Sequence, residues 1–240
     1  MIGLGTIINT ALIIAGGIIG RFAGKLLKPR FRETMTAACG VSTLFIGMAG
    51  AMSGMLEISE GALTSVHSLL LVICLALGGA LGEALNLERL LEKLGQWLKI
   101  KSGSSGDGRF MDGFITASLT VCIGAMAIVG SIKDGIEGDY SILATKGVLD
   151  FVIVLVLTGS LGKGCVFSAV PVFIIQGAFT LLATALKPLM TDTALAYIST
   201  VGSVLIFCVG LNLLRDKKIR VANLLPALVL AAALSLVPGL

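Results

Sequence analysis

Apolar runs of about twenty residues recur along the whole chain, and they constrain its fold more than any other feature. As a helix, such a run crosses the hydrocarbon core of a bilayer, which is about 30 Å thick. Hydrophobic residues make up 56% of the 240 and charged residues 13%, whereas about 25% charged is typical of soluble domains. No long polar segment remains, so 1–240 is predicted to be one all-α, polytopic domain embedded in the lipid bilayer. The eight predicted spans are approximately 4–24, 36–56, 63–85, 111–132, 142–162, 167–187, 193–214 and 221–239.

The charges of the connecting loops agree with this set of spans. The loops after the first, third and seventh spans each carry at least four Lys or Arg residues, and the loop after the fifth carries Lys163. The other loops are acidic or mixed, as with Glu57 and Glu60 after the second span. Because basic loops stay on the cytoplasmic side, the alternation predicts that both termini lie outside. The net charge of +4 therefore reflects topology and does not indicate nucleic acid binding.

Residues 87–101 predict a short amphipathic helix between the third and fourth spans. Leu90, Leu94 and Leu98 recur at helical spacing, and charged residues occupy the other face. One interpretation is a membrane-surface helix with Trp97 at the level of the lipid headgroups. The other is a cytoplasmic cap that packs on loops, and the sequence does not distinguish the two.

Short motifs recur in different spans and favour internal helix repeats. GGIIG at 16–20 returns as GGALG at 78–82, and TLFIG at 43–47 returns as TVCIG at 120–124. These matches favour a duplicated hairpin formed by spans 1–2 and 3–4. Leu-Lys-Pro, at 27–29 and again at 186–188, favours a third copy at spans 6–7, in which spans 3–5 and 6–8 form an inverted three-helix repeat of the kind common in transporters. Chance similarity in sequence rich in Gly, Ala and Leu is the alternative. The glycine spacings also allow close helix contacts, either inside one chain or in a homodimer.

One acidic residue lies deep in a predicted span. Asp150 is near the middle of LATKGVLDFVIVLVLTGSLGKG (143–164), and Lys146 precedes it by one helical turn. A carboxylate at that depth costs about 2.5–3.5 kcal/mol on insertion scales, so it is expected to be paired, hydrated or used. The functional hypothesis makes Asp150 a proton or sodium site that Lys146 modulates. The structural alternative is a fixed ion pair that holds span 5 against its neighbours.

Further polar residues fall within the predicted spans. Gln176 has a depth similar to that of Asp150 if spans 5 and 6 form a hairpin, and it contacts either an ion or polar substrate or a neighbouring helix. Asn9 and Thr120 are lesser candidates, for which packing is the expected role. Asp112, at the entrance of span 4, is either a solvated helix-start carboxylate or part of a vestibule.

Other chemistries find no support in the sequence. The five cysteines form no C-x-x-C pair and lie in or beside apolar runs, so neither a disulfide framework nor a zinc site is expected. There is no H-E-x-x-H, no nucleotide-binding fingerprint and no Ser/His/Asp set. We therefore expect no metal, no cofactor and no enzyme activity.

Four strings carry a likeness to a known family: GTIIN (5–9), FMDGFITASLTVCIGAMAIVGSIKDG (110–135), LATKGVLDF (143–151) and GKGCVFSAVPVFIIQG (162–177). They resemble the bacterial YdfK/YqgA-like family, known as domain of unknown function 554. The likeness covers essentially the whole chain and is strongest from 110 to 177. It implies a multi-pass protein of the bacterial plasma (inner) membrane, and it brings no established substrate and no set of binding residues.

The leading functional hypothesis is a small secondary transporter driven by an ion gradient. Asp150 would be the coupling carboxylate for H⁺ or Na⁺, and Gln176 a contact for the ion or a small solute. One alternative is a passive channel built by a homo-oligomer, with the glycine stripes as its interface. Another is a non-transporting membrane scaffold or assembly factor that binds a partner through 87–101.

Overall fold

The computed structural model describes residues 2–26, 28–59, 61–123, 125–215 and 219–236, and α-helix dominates these ranges. Helices are the natural result, because a backbone in lipid must satisfy its polar groups within its own segment. The predicted all-α class is confirmed. The α-helices are α1 (Leu4–Leu26), α2 (Pro29–Met55), α3 (Ser68–Leu85), α4 (Leu87–Lys101), α5 (Phe110–Cys122), α6 (Ala125–Glu137), α7 (Ser141–Leu161), α8 (Ala169–Leu181), α9 (Ala183–Leu186), α10 (Asp192–Leu214) and α11 (Pro226–Leu234). Shorter 3₁₀ turns cover Lys163–Ser168, Lys187–Leu189 and Val221–Leu224.

The described residues contain fewer full-length spans than the sequence predicts. Six helical segments are long and apolar enough to cross a membrane, and a seventh crossing results if α5 and α6 count as one bent span. The eighth predicted span, 221–239, corresponds to a shorter apolar helix over Val221–Leu234, and its last predicted residues, 237–239, lie outside the described ranges. The six segments are Leu4–Gly24, Glu33–Met55, Ser68–Leu85, Ser141–Leu161, Lys163–Leu181 and Asp192–Leu214.

A short β-hairpin separates α2 from α3. Strands β1 (Leu56–Ser59) and β2 (Ala62–Ser65) pair in antiparallel fashion, and Gly61, at φ 81°, takes the left-handed conformation of the turn between them. The predicted span 63–85 is therefore wrong at its start, because its first residues belong to β2 and the helix begins at Ser68.

The amphipathic segment forms α4, which has features both of a cap packed on the protein and of a membrane-surface helix. Gly95 lies against Phe114 of α5, and Leu98 is buried in the same small apolar cluster. Trp97 and Ile100 remain exposed, at 54% and 70% of their surfaces. The helix thus caps α5 with one face and keeps an apolar edge of the kind that lies at a membrane surface.

Close contacts at glycines fix how the long helices pair. α1 runs parallel to α7, since Gly5 lies against Leu143 and Gly20 against Leu155. α2 runs antiparallel to α10, and α3 runs antiparallel to the turn and helix at Val221–Leu234. The GG-x-x-G motif of α1 thus packs against a parallel helix, and that of α3 packs against an antiparallel segment. Both contacts lie inside the chain. The duplicated hairpin and the homodimer both stay predictions.

The helices have two ends, which differ in the loops and short elements at each end. The basic side is the end with α4 and the loop at Gly162–Lys163, and the hairpin side is the end with β1 and β2. α1 and α7 both run from the hairpin side to the basic side, while α5–α6 and α8 run the other way. The four meet around the residues described next.

Candidate functional site

The fourth predicted span is broken, which corrects the prediction of one continuous helix over 111–132. α5 ends before Ile123, whose backbone is extended, and α6 continues from Ala125 at an angle of 62°. A break leaves the last carbonyls of the first helix without intrahelical donors. Lys146 of α7 supplies one, because its Nζ donates a 2.7 Å hydrogen bond to the carbonyl oxygen of Val121.

Lys146 also forms the ion pair that its spacing predicts. Its Nζ donates to Oδ2 of Asp150, one turn later on α7. Both residues are almost wholly buried, with 6% of Lys146 and 3% of Asp150 exposed. The ammonium group therefore joins a buried carboxylate to the end of the broken helix, and the loss of either partner would leave an uncompensated charge.

Two buried amides beside this pair have no hydrogen-bond partner among the described residues. Asn9 of α1 is 0% exposed and Gln176 of α8 is 1% exposed, and neither the nitrogen nor the oxygen of either amide is bonded. The Asn9 backbone lies against Gly147, and its side chain is near the Asp150 carboxylate without making a well-formed hydrogen bond. Each unsatisfied buried group costs about 1–3 kcal/mol, so this arrangement needs an explanation beyond packing.

Contacts one turn away on each side fix the depth of Gln176. Val172, on its basic side, belongs to the apolar cluster that contains Ile13 of α1 and Val154 of α7. Thr180, on its hairpin side, has its hydroxyl oxygen 3.5 Å from that of Thr6 in α1. Gln176 therefore lies between these levels, where α1 carries Asn9 and α7 carries Asp150.

Asp134 is a buried carboxylate just beyond the predicted end of the fourth span, 111–132. The structure places it on α6 with 0% exposure, where Oδ2 accepts a 3.0 Å hydrogen bond from the backbone N–H of Gly5 at the start of α1. Its Oδ1 is buried without a partner in the described structure. Ala127, Ser131 and Asp134 recur at helical spacing and are all buried, so they lie on one face of the helix. This spacing indicates that the helix continues beyond 132.

The structure thus places four of the six predicted site residues at a similar level of the helices, and Asp134 lies about one helical turn farther toward the hairpin side, against Gly5. We call the set Asn9, Asp134, Lys146, Asp150 and Gln176 the polar cluster. Toward the basic side it rests on a layer of buried apolar side chains, which comprises Ile13, Ala117, Val121, Val154, Leu157, Cys165, Ala169 and Val172. Toward the hairpin side it continues through the hydroxyls of Thr6 and Thr180.

The two remaining predicted residues lie elsewhere. Thr120 is half-buried and donates its hydroxyl to the carbonyl of Thr116 on the same helix, at 2.8 Å, which is a packing role. Asp112 lines a cavity of about 440 Å³ at the basic side, together with Glu92 of α4 and Arg220. Asp112 is also exposed in the first turn of α5, so a solvated helix-start carboxylate and part of a vestibule both stay open as interpretations. The buried apolar layer lies between this cavity and the polar cluster.

Comparison with known proteins identifies the family. The family model described as "Protein of unknown function (DUF554)" matches residues 4–236. The chain belongs to this family. Over 226 residues this DUF554 chain is 32% identical to the uncharacterized membrane protein YdfK of Bacillus subtilis (strain 168), covering 94% of the chain and 93% of that relative. It is 29% identical over 236 residues to the uncharacterized protein YqgA of Escherichia coli (strain K12), covering 97% and 96%. No solved structure matches the chain.

Family membership and the apolar helices make this DUF554 chain a membrane protein. The predicted resemblance is confirmed. The names of the two relatives assign no chemistry to any residue, so the polar cluster has to be interpreted from its own geometry.

Proposed function

We propose that this DUF554 protein is a secondary transporter in the bacterial plasma membrane, with both termini outside, that couples the movement of a small solute or ion to a cation gradient. The observation that supports this most directly is the pair of unsatisfied amides, Asn9 and Gln176, next to a buried ion pair. A static protein gains nothing from four unbonded amide atoms at the centre of its helices. A site that takes up a hydrated ion or polar solute in part of its cycle needs such groups.

The broken helix supports the same proposal. Non-helical backbone at membrane depth is tolerated where it is buried in protein or lines a cavity, and discontinuous helices form the ion and substrate sites of many transporters. Here Lys146 holds the end of α5 through the Val121 carbonyl and holds Asp150 at the same time. A change in the charge of Asp150 would therefore alter the force on the ammonium group, and through it the position of α5.

The charges of the polar cluster favour a cation as the coupling ion. Lys146 and Asp150 neutralise each other, whereas Asp134 makes no ion pair with the described residues. The set therefore holds one more carboxyl group than cations among the described residues. A carboxylate binds H⁺ or Na⁺ and repels an anion, and its burial without such a partner is costly.

The polar cluster is closed toward the basic side by the apolar layer, and toward the hairpin side Thr6 and Thr180 are themselves buried. The polar cluster continues through Thr6 and Thr180 toward the hairpin side, while Ile13 and Val154 belong to the layer that blocks it toward the basic side. Alternating access requires a seal of this kind that opens in another state. On this proposal, the cavity beside Asp112 is the vestibule beyond the seal.

The main competitor is an insulated structural anchor, because the Lys146–Asp150 pair is buried and satisfied as a pair. An anchor explains the ion pair but not the unbonded amides or the free Oδ1 of Asp134. The passive channel loses the support of its proposed interface, since the glycine stripes of α1 and α3 are occupied inside the chain.

Charge displacement on a solid-supported membrane tests the proposal without knowledge of the solute. Proteoliposomes with the full chain are exposed to a sodium jump or a pH jump, and a transient current reports cation entry. We expect a current in the wild type that falls at least about tenfold in Asp150→Asn, since the coupling carboxylate is gone. Asp192→Asn is the matched control, because this carboxylate is exposed at the start of α10.

Three outcomes would contradict the proposal. A wild type that gives no transient with either cation has no coupling site. An Asp150→Asn variant with an unchanged transient makes the ion pair an anchor. A steady ohmic current that survives Asp150→Asn indicates a passive channel.

A further inference from the structure

A groove at the basic side combines apolar walls with two cations. It lies between α1 and the 3₁₀ turn at Lys163–Ser168, and its volume is about 370 Å³. It is lined by Ile18, Arg21, Phe22, Lys163, Val166 and Phe167. Cationic and apolar side chains thus line one concavity, whereas the cavity beside Asp112 is lined mainly by acidic charges.

The groove has a fixed shape. Gly17 of α1 lets Val166 approach so closely that a Cβ at position 17 would overlap it. Gly162, at φ 99°, turns the chain after α7 into the 3₁₀ segment, and this turn positions Lys163. Phe167 packs on Phe110, with ring centroids 5.2 Å apart. The walls are therefore held by backbone contacts and ring packing.

The two cations have no counter-charge of their own. Neither Arg21 nor Lys163 makes a hydrogen bond or ion pair with the described residues. Ion pairs elsewhere at this side are made, as between Arg220 and Glu83. Two unpaired cations on one groove present a site for an anion, and their location near the ends of α1 and α7 puts it at headgroup level.

The apolar walls favour an anion that also carries apolar groups. Ile18 and Phe22 are exposed at 48% and 63%, and with Val166 they form a surface that a free phosphate ion would not need. A phospholipid supplies both parts, because its phosphate matches Arg and Lys while its first acyl methylenes cover the apolar side chains. We propose that this groove binds one anionic phospholipid, with its phosphate between Arg21 and Lys163.

Lipid titration of the purified full chain in detergent tests this. Native mass spectrometry counts bound phosphatidylglycerol and phosphatidylcholine, and thermal unfolding follows stabilisation by each. We expect phosphatidylglycerol to bind preferentially, and Arg21→Gln/Lys163→Gln to weaken its binding roughly tenfold or more, because each cation near the surface contributes to anionic lipid binding. Phosphatidylcholine binding should not change.

Two variants serve as controls. Lys133→Gln/Lys187→Gln removes the same charge from exposed positions on the hairpin side and should bind phosphatidylglycerol as the wild type does. Arg21→Lys/Lys163→Arg keeps both charges and should retain preferential binding, which also covers the case that the Gln variant fails to fold.

Other results would overturn the proposal. Equal weakening by both Gln pairs would mean that only net charge matters. Loss of binding in the charge-preserving pair would argue against a phosphate held by charge. If inorganic phosphate stabilises the protein as much as phosphatidylglycerol does, the groove is an anion site without a lipid. If a co-purified protein occupies the groove and neither lipid displaces it, the occupant is a protein partner.

Discussion

The helix pair α1–α7 has two halves that differ in how completely their polar atoms are satisfied. Toward the basic side, Gly20 and Gly24 lie directly on the backbone of Leu155 and Gly159. Toward the hairpin side, close glycine contacts continue at Gly147, but the same two helices also carry the unbonded Asn9 amide opposite the Lys146–Asp150 pair. One half is thus packed throughout, and the other combines close packing with polar atoms that have no partner in the described structure.

The difference separates a half of the helix pair that provides rigidity, the glycine half, from a half that is available for function, the polar half. In lipid, helices associate through van der Waals packing and not through burial of apolar surface from water, so small residues that let backbones meet are the main source of stability. The glycine half can therefore hold the frame while the polar half stays imperfect. Variants at Lys146, Gly20, Gln176 and Asp134 test this division.

Breaking the ion pair should have the largest effect. Lys146→Met leaves the Asp150 carboxylate buried and unpaired and removes the donor to the Val121 carbonyl, so we expect a loss of about 3–5 kcal/mol in unfolding free energy. The double variant Lys146→Met/Asp150→Leu should recover most of that stability, because both charges are gone, and still show no cation transient. Unfolding in detergent measures the first result. A double variant as unstable as the single one would mean that the Val121 hydrogen bond, and not the charge, dominates.

Filling the glycine half should come next. In Gly20→Ala the new Cβ would overlap the carbonyl oxygen of Leu155, and we expect a loss of about 1–3 kcal/mol, since backbone cannot move aside easily. Gly177→Ala is the matched control on α8, because a Cβ there meets nothing within 4 Å. That change should be neutral or stabilising by up to about 1 kcal/mol. Thermal unfolding compares the two variants, and equal effects would mean that the close backbone contact at Gly20 does not contribute to stability.

Replacing an unbonded amide should separate stability from function. Gln176→Leu removes two buried polar atoms that have no partner in the described structure, so we expect unchanged or slightly higher stability, by about 1 kcal/mol, with loss of the cation transient. Thr184→Leu, at an exposed position of α9, also replaces a polar side chain by leucine but lies outside the cluster and the vestibule, and should keep the transient. If Gln176→Leu destabilises the protein instead, the amide makes bonds in solution and belongs to the packed frame.

The smallest effect on stability is expected at Asp134. An asparagine can still accept the hydrogen bond from the Gly5 N–H, so Asp134→Asn should change stability by less than about 1 kcal/mol, while Asp134→Ala loses the acceptor and about 1 kcal/mol or more. Both variants remove the uncompensated charge and should shift or abolish the cation dependence of the transient current. An Asp134→Asn variant that responds to cations like the wild type would confine the coupling site to Asp150.

Part of this site was open to prediction from sequence. Lys146 and Asp150 are four residues apart on one helix, and Asn9 and Gln176 stand out as polar residues in apolar runs. Their convergence was only partly predictable, because it depends on which helices are neighbours. Asp134 was missed because a charged residue near the end of an apolar run looks like loop sequence, although the Ala127–Ser131–Asp134 spacing continued the helix.

Composition and local residue spacing were enough to predict the helical class, the membrane embedding, the amphipathic helix α4 and the ion pair of α7. All of these follow from composition and from spacing within one segment, where hydropathy and helical periodicity act locally. Tertiary structure decided the break between α5 and α6, the burial of Asp134 and the meeting of the unbonded amides. These depend on contacts between residues far apart in the chain, such as Gly5 with Asp134 across 129 positions and Thr6 with Thr180 across 174. A carbonyl released at Val121 is tolerable only because a lysine from another helix reaches it, and no local pattern encodes that.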